Sequence, residues 1–537
     1  MDPGPSKTHT NSRRVRFDLD HRRGNRHQRF SHGRNYSSPP YKRVYRQRAC
    51  SEGERKGSGG CINSRPLRST ESQDHQESPT NRDDDSNFKT LLLNMIIKNL
   101  QPLSIVTGFQ DLASSLHPSL NINESSIQTE LQSIYSQKRL EVQNAINAES
   151  NLVLSAELWS SDKTVFYLTV SCHLINENWM QKSYVLDTAH LLIERTPEHV
   201  VKHLMRISNE WNITTKIQVV VTNIDDLKKV DKSICQWTFI PCFGRTLDKV
   251  FRETLGETVW KHLLGKCQQI VSFFHQNPKA SESLQKHRSH LKLQKNNLIQ
   301  STDLRWLPTL HMLQNILELW PAIFKVFIDF LEEKLCLNKN ERKILEDILA
   351  VLKILKMVTE EMGSQGYSPI SMIIPLVQRL QMELRKLEME NEIAKTLSAR
   401  CDHHFGNIKQ NHWFRVSTAL DPRYKTCVMD SNIDVKAEIQ SLIKGNRHTT
   451  HSYDTRSEEM ILEKYWTFKR NSEDPLDFWR SRVEFKQLAT VTRKYLTVVS
   501  TAIPIERVHQ LEKSQAMNWR NCLDPRNLSM ILFLKNN

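Results

Sequence analysis

The 537-residue chain has no closely spaced cysteine pairs. Its ten cysteines are scattered, and none belongs to a Cys-x-x-Cys pair. Disulfide frameworks and zinc ribbons need paired or regularly spaced cysteines, so the pattern argues against both and indicates a reducing compartment. The segment Cys401–His404 is a local Cys-Asp-His-His cluster, but adjacent side chains on a helix point apart. We interpret it as coincidence and predict no metal ligands and no cofactor.

Long apolar runs are also missing. A membrane-spanning helix needs about 20 predominantly apolar residues, and the segment ILAVLKILKMV at 348–358 is interrupted by lysines. The first ten residues, MDPGPSKTHT, contain no apolar segment of the kind found in signal peptides. The sequence therefore predicts a soluble, intracellular protein without a membrane partner.

Positive charge is concentrated at the start of the chain. Residues 1–70 contain 17 Lys and Arg against 5 Asp and Glu, which is most of the net charge of +15. We predict that residues 1–87 form a disordered basic arm, because apolar residues are too sparse to order it. We interpret the arm as a solvated tail, as a segment for nuclear import or phosphate contact, or as both. The candidate DNA contacts in it are Arg13, Arg14, Arg16, Arg22, Arg23 and Arg43.

The middle of the chain changes from an α/β pattern to an all-helical one. After helices over 88–148, strand-like segments occur at 151–159, 165–175 and 179–187, followed by a helix over 196–211. The run KIQVVVT (216–222) reads as a buried central strand, and 236–243 as a fifth strand. Three antiparallel strands, a helix and a buried strand are typical of an RNase H-like sheet. We assign 149–250 to the first part of this domain.

Residues 251–430 are predicted to form a helical insertion. Apolar residues from Leu310 to Phe327, including Phe324, step by three and four and so share one helix face. Pro321 is predicted to start a second helix rather than lie inside one. The polar stretch 431–473 is predicted to be a linker, and 474–537 a C-terminal region that completes the sheet domain.

Seven segments in this order resemble the hAT superfamily of DNA transposases, and within it the host proteins of the BED-type zinc-finger group. They are NLQPLSIVTGFQDLASSLHP, AELWSS, VVVTN, IPCFGRTLDKV, LRW, ALDPRYK and the C-terminal block from DPLDFW to LFLKNN. The resemblance implies α/β plus all-α architecture. It consists of an RNase H-like mixed sheet interrupted by a long helical insertion, with a C-terminal hAT dimerisation region.

The resemblance also implies three carboxylates that hold two divalent ions for strand cleavage. They fall on Glu157, Asn223 and Glu506, where the first two positions are normally Asp. At the first position, glutamate is one methylene longer than aspartate and so displaces the carboxylate. At the second position, asparagine removes the negative charge. Asp225 and Asp226 could replace Asn223 only with a shifted register. We therefore predict a degenerate, inactive triad, in which Glu506 is an exposed acid at a helix start.

At other motif positions, the chain either differs from the residue usual in the family or retains it. Arg245 stands where the family has His, so Cys242 is predicted to be a buried, small apolar residue. The family's tryptophans are retained as Trp159 and Trp306, the latter preceded by Arg305. In the family such residues lie near DNA, so all three are candidate DNA contacts, with core packing as the alternative for the tryptophans.

A BED finger would need closely spaced cysteines and downstream histidines, and residues 1–90 contain no such set. The C-terminal block supplies apolar surface for dimerisation. Its candidate residues, which could equally complete the core of the monomer, are Trp479, Phe485, Leu488, Tyr495, Leu528, Ile531, Leu532, Phe533 and Leu534.

These features predict a domesticated, catalytically inactive nuclear protein that dimerises and binds DNA or chromatin in a regulatory role, without a small-molecule substrate. Two alternatives remain open. One is an active transposase, which metal-dependent nicking would reveal. The other is a protein-interaction scaffold that binds no DNA.

Overall fold

The computed structural model describes twelve segments of the chain: residues 80–116, 122–160, 165–191, 196–256, 258–293, 298–299, 301, 305–363, 367–428, 434–445, 455–502 and 524–537. The first helix begins at Thr80, eight residues before the predicted start of order at Phe88. The six arginines predicted to contact DNA from the basic arm lie outside the described residues.

Three helices precede the sheet, as predicted. They are α1 (Thr80–Asn99), α2 (Ile105–Leu116) and α3 (Glu124–Asn147). Asn123 caps α3 by accepting a hydrogen bond from the Ser126 backbone N–H at 2.8 Å, which satisfies one of the free donors of the first turn. Apolar residues of α1 and α3 pack against those of the C-terminal segment 524–537 in one core cluster.

The predicted RNase H-like sheet is confirmed. Its five strands are β1 (Leu152–Ser160), β2 (Phe166–Ile175), β3 (Gln181–Leu191), β4 (Ile217–Thr222) and β5 (Thr238–Pro241), with α4 (Pro197–Glu210) between β3 and β4. The order is β3-β2-β1-β4-β5. The first three strands pair antiparallel, whereas β4 is parallel to both β1 and β5. Strand β4 is central and is buried except at Gln218, which fits its continuous apolar sequence.

The region after β5 is helical, as predicted. It comprises α5 (Phe243–Leu255), α6 (Thr258–Gln276), α7 (Pro278–His290), α8 (Trp306–Asp329), α9 (Lys339–Gly363), α10 (Ile373–Arg385), α11 (Glu392–Phe405) and α12 (His412–Leu420). Val153 of β1 and Val219 and Val221 of β4 belong to the same core cluster as these helices. One face of the sheet is therefore covered by the helical insertion.

The prediction for Pro321 was wrong. Helix α8 continues through Pro321, which lies 15 residues after its first residue, Trp306. The proline ring removes one backbone donor, but dense apolar packing on both sides of it holds one continuous helix. Phe324, predicted to lie on the buried face, is 44% exposed. The buried face instead includes Ile323 and Val326.

The prediction of a linker over 431–473 was also wrong. The described part of that stretch contains α13 (Val435–Gly445) and α14 (Thr455–Thr467). Tyr465 is fully buried, and its hydroxyl donates to the Ala419 carbonyl oxygen at 3.0 Å. The polar composition reflects the exposed faces of two short amphipathic helices, whose buried apolar residues include Val435, Ile439, Ile443, Leu462 and Tyr465.

The C-terminal part returns to the sheet. After α15 (Pro475–Ser481) and α16 (Lys486–Leu496), the final helix α17 (Pro525–Asn536) packs beside β3 and against α1 and α3. Asn537 follows it, and its side-chain amide accepts from the Val185 N–H at 2.9 Å and donates to the Val185 carbonyl at 2.8 Å. The end of the chain is thereby hydrogen-bonded to the edge strand.

Candidate functional site

A cleft of about 670 Å³ opens at the carboxyl ends of β4 and β5. Ligand sites of α/β sheets commonly lie at the carboxyl ends of their strands. The residues that follow β4, the first turn of α5 and the end of α11 form its walls. The polar and charged lining residues include Asn223, Asp225, Asp226, Lys228, Lys229, Arg245, Thr246, Lys249, His403, His404, Asn407 and Asn411.

Asn223, at the second carboxylate position, is held by the neighbouring strand. Its Oδ1 accepts a hydrogen bond from the Leu158 N–H at 2.8 Å, and its Nδ2 donates to the Leu158 carbonyl oxygen at 2.8 Å. The side chain thus continues the hydrogen-bonding of the sheet beyond the end of β4. An aspartate could accept the first bond, but an ionised carboxylate could not donate the second.

Glu157, at the first carboxylate position, lies on β1 beside Asn223. The parallel register pairs Ala156 with Thr222, so Glu157 and Asn223 are the next positions along the two strands. The two positions are therefore neighbours on adjacent strands of the sheet. Glu157 is half-buried and pairs in register with Thr169 of β2. The described lining of the cleft includes Asn223 but not Glu157.

Glu506, at the third position, lies outside the described residues. The chain that leads to it passes the cleft, because the Phe243 N–H donates to the Ser500 carbonyl oxygen at 3.0 Å. The Thr501 hydroxyl lies 3.1 Å from the sulfur of Cys242. Cys242 is fully buried, as predicted for a small apolar residue.

The two acids that closely follow Asn223 in the chain are paired with lysines. Asp226 is exposed and pairs with Lys229 at 2.7 Å, and this pairing lowers the pKa of the carboxyl. Asp225, also exposed, lies 3.5 Å from the Lys249 ammonium. Both acids therefore project from the short helical turn beyond the strand and bind lysines, in line with the expectation that neither replaces an acid at Asn223.

Arginines surround a carboxylate behind the cleft wall. Asp248 lies 3.5 Å from Arg245 and 3.4 Å from Arg252. Burial raises the pKa of the Asp248 carboxyl, while Arg252, Arg245 and Arg305 act in the opposite direction. Burial lowers the pKa of Arg245, and repulsion from Arg252 lowers it further. Two arginines thus pair with this acid, Arg305 acts on it electrostatically, and Arg245 also lines the cleft.

This cluster was not predicted from the sequence. From the motifs, Arg245 is interpreted only as a replacement for histidine, and no role is assigned to Asp248, Lys249 or Arg252. Their spacing of three, four and seven residues from Arg245 places all of them on one face of α5, and that spacing was the available signal.

The described residues near Asn223 do not fit a divalent cation. The side chain presents no charged oxygen, its amide is already bonded, and Arg245 and Lys249 line the same cleft. Throughout the described segments, no cluster of three or more His, Cys, Asp and Glu side chains is arranged to hold a metal ion. His404 of the Cys-Asp-His-His sequence instead contacts Glu253 at 2.8 Å.

Two tryptophans predicted as candidate DNA contacts are buried. Trp159 is 8% exposed, donates from Nε1 to the Thr169 hydroxyl at 2.9 Å and stacks on Tyr167. Trp306 is 6% exposed and begins α8, directly after Arg305. Burial favours the core-packing alternative for both rings. Arg305 lies close enough to Asp248 and Arg245 to affect both, and its contact with DNA stays a prediction.

The ALDPRYK segment forms a buried polar network. The Asp421 carboxylate, fully buried, accepts from Arg423 Nε at 2.9 Å and Nη2 at 2.8 Å, and from the Ser371 hydroxyl at 2.7 Å. Lys425, 2% exposed, donates to the Tyr465 carbonyl at 2.7 Å and to two further carbonyls that follow it. The motif therefore connects the segment after α12 to the last turn of α14 and to the residue that follows it.

The predicted dimerisation residues are packed inside the monomer. Four of them, Trp479, Phe485, Leu488 and Tyr495, belong to the helical core, and Trp479 donates from Nε1 to the Leu420 carbonyl at 3.0 Å. The other five lie on α17 and contact the sheet and the N-terminal helices; they are Leu528, Ile531, Leu532, Phe533 and Leu534. The side chains therefore complete the fold, and their part in a dimer stays a prediction.

A mixed sheet of this order, interrupted by a long helical insertion and joined again by the C-terminal helix, defines an RNase-like protein with a helical insertion. Residues 155–237 match the ZBED1 RNase-like domain, residues 240–351 the ZBED1 RNase-like helical domain, and residues 457–537 the hAT family C-terminal dimerisation region. The three matches have the order predicted from the sequence.

Similarity to whole proteins agrees with these matches. The chain is 24% identical to the human (Homo sapiens) zinc finger BED domain-containing protein 4 over 63% of its own length and 30% of that protein's. It is 22% identical to the "Putative AC transposase" of Zea mays over 62% of its own length and 44% of the relative's. The chain thus spans less than half of either relative. It belongs to the hAT superfamily, as a transposase-derived protein with a hAT dimerisation region.

No helix within the described segments combines the length and apolar character needed to cross a membrane.

Proposed function

We propose that the chain is a catalytically inactive, transposase-derived nuclear protein that dimerises and binds DNA or chromatin in a regulatory role. The observation that carries the inactive assignment is the bonding of Asn223. A position that would have to supply a free carboxylate to a metal ion is occupied by an amide with both ends bonded to Leu158. Losing one charged ligand of a two-metal site removes both affinity and the stabilisation of the leaving oxygen.

The dimerisation part of the proposal is supported by the match over residues 457–537. Because hAT relatives include transposases, DNA is the partner that the family favours. The basic residues of 1–70 add sequence-independent attraction to phosphate.

The test is DNA affinity as a function of salt for the full chain and for an arm variant with Arg13, Arg14, Arg16, Arg22, Arg23 and Arg43 changed to Gln. Counterion release predicts a log–log slope of about −0.9 per phosphate contact in duplex DNA. A shallower slope and weaker binding for the variant support the arm as a contact. A full chain that binds no DNA at physiological salt contradicts the proposal and favours a protein-interaction scaffold.

A further inference from the structure

The cleft at the ends of β4 and β5 carries more positive than negative charge. Lys228, Lys229, Arg245 and Lys249 line it, against Asp225 and Asp226. Each of these two acids is exposed and already near a lysine of the same cleft, Asp226 with Lys229 and Asp225 with Lys249. Exposed pairs of this kind are weak and exchange easily with another anion.

The half-buried Arg245 side chain makes the cleft attractive to an anion. It shares Asp248 with Arg252, and Arg305 acts on the same carboxylate. Asp248 is thus paired with two guanidinium groups, and the exposed Asp225 is the other acid that acts on Arg245. Burial and the charge of Arg252 lower the pKa of Arg245, so an oxyanion in the cleft would stabilise its charged form. Guanidinium groups bind phosphate in a bidentate manner.

The rest of the lining suits a nucleotide unit. Phe239, Pro241 and Ile408 provide apolar surface beside the cations, and the amides of Asn407 and Asn411 provide polar groups. A volume of about 670 Å³ exceeds what one phosphate group requires. Basic grooves with adjoining apolar surface are the usual design of sites for unpaired nucleic-acid strands.

We infer that this cleft binds phosphate oxyanions directly on its own cations, without a divalent metal ion, with Arg245 and Lys249 as the main ligands. Its occupant is the backbone of a single-stranded nucleic-acid segment, with a base against the apolar wall. The choice of a strand over a free phosphate compound rests on the proposed function. The direct binding of phosphate rests on the cleft alone.

The experiment uses the full chain and a fluorescent single-stranded oligonucleotide, titrated in EDTA at several salt concentrations. The double variant Arg245→Gln/Lys249→Gln is compared with Lys202→Gln, which changes an exposed lysine of α4 outside the cleft lining. For single strands each lost phosphate contact reduces the slope by about 0.7. The double variant should bind at least about tenfold more weakly with a slope about 1.4 shallower, and Lys202→Gln should bind like the parent.

Two controls separate a loss of charge from a loss of structure. Arg245→Lys retains the positive charge and should keep most of the affinity for the oligonucleotide, whereas Arg245→Gln should not. Circular dichroism melting curves identify any variant that has lost its structure. If Arg245→Gln/Lys249→Gln is folded and binds with unchanged affinity and slope, the inference is overturned.

Two further outcomes separate this inference from the proposed function. If only the arm variant loses binding, DNA binding by the protein stands and the cleft inference falls. If no oligonucleotide binds but inorganic pyrophosphate does, and the double variant loses it, the cleft binds phosphate while the nucleic-acid occupant and the DNA role are both rejected.

Discussion

Asn223 and Leu158 are joined by two hydrogen bonds of 2.8 Å, one to each end of the asparagine amide. The Leu158 backbone would otherwise leave a donor and an acceptor unpaired where β4 ends, and partly buried groups of this kind are costly when unsatisfied. The residue at the position that the resemblance assigns to the second catalytic acid thus extends the hydrogen bonding of the sheet in this chain.

Asn223→Asp should lower the free energy of unfolding at neutral pH. An ionised carboxylate cannot donate to the Leu158 carbonyl, so an unpaired acceptor faces a negative oxygen, at a cost of about 1–3 kcal/mol. The protonated acid can donate, so the folded-state pKa of the new Asp should be raised. The penalty should therefore shrink as pH falls through that raised pKa and be gone below about 4, the usual pKa of Asp in an unfolded chain. Urea unfolding of both proteins at several pH values measures the difference.

Asp225→Asn is the control, since it changes an exposed acid two residues away and should alter stability by less than about 0.5 kcal/mol. Equal stability of Asn223→Asp and the parent at pH 7 would contradict the structural role of the amide.

His173 should make the fold sensitive to acid. Its ring bridges the Ser155 and Ser183 hydroxyls at 2.8 and 2.7 Å, and burial lowers its pKa from 6.5 to about 4. The unfolded chain binds a proton near pH 6.5 while the folded chain does not. Stability is therefore complete above pH 6.5 and falls as pH decreases toward 4, by about 3 kcal/mol at about 1.4 kcal/mol per pKa unit.

His173→Gln removes this titration and keeps a donor and an acceptor. The loss of unfolding free energy between pH 7 and pH 4.5 should be smaller in His173→Gln than in the parent. His290→Gln, at an exposed position of α7, is the matched control. Parallel stability curves for the parent and His173→Gln would show that this histidine does not determine the pH response.

Asp421→Ala should be strongly destabilising. It would leave the buried Arg423 guanidinium and the Ser371 hydroxyl without their shared acceptor. Breaking a buried pair in this way costs about 3–5 kcal/mol. Asp477→Ala removes an exposed acid that pairs with Arg480 and should cost under about 1 kcal/mol. Similar melting temperatures for the two variants would contradict this account of the ALDPRYK motif.

Self-association should depend on exposed rather than buried residues of the dimerisation region. In its described part, Met460 and Val483 are 72% and 77% exposed, whereas Trp479 is 2% exposed. Met460→Glu/Val483→Glu should weaken the dimer about tenfold or more with little change in melting temperature. Trp479→Ala should instead destabilise the monomer by about 3–5 kcal/mol.

Sedimentation over a range of concentrations measures the dimer, and calorimetry measures the melting temperature. An unchanged dissociation constant for Met460→Glu/Val483→Glu would place the interface elsewhere.

The sheet could be predicted from the sequence because its strands have clear local signals. Alternation in 165–175 and the unbroken apolar run before Asn223 each predict a strand, and both strands were found inside the sheet, β2 between β3 and β1 and β4 between β1 and β5. The two wrong predictions, a helix start at Pro321 and a linker over 431–473, are cases where tertiary packing overrides local sequence preference. Pro321 lies inside a helix because its neighbours are buried on several sides, and the polar stretch is ordered because Tyr465 packs in the core.

The site was only partly predictable. The register of β1 and β4, which brings Glu157 beside Asn223, follows from the order of an RNase H-like sheet. The bonding of Asn223 to a backbone 65 residues earlier cannot be read from local sequence. The electrostatic effect of Arg305, which precedes α8, on Asp248 of α5 likewise depends on how the insertion folds back.

The most direct test of the central claim measures binding and cleavage in one sample. The full chain is incubated with DNA and with Mg²⁺, Mn²⁺ or EDTA, and complexes and nicked strands are quantified together. The account predicts complexes of equal affinity in all three conditions and no nicks above the background of DNA alone. Nicking that requires metal and disappears in Glu506→Gln would contradict it and identify an active transposase.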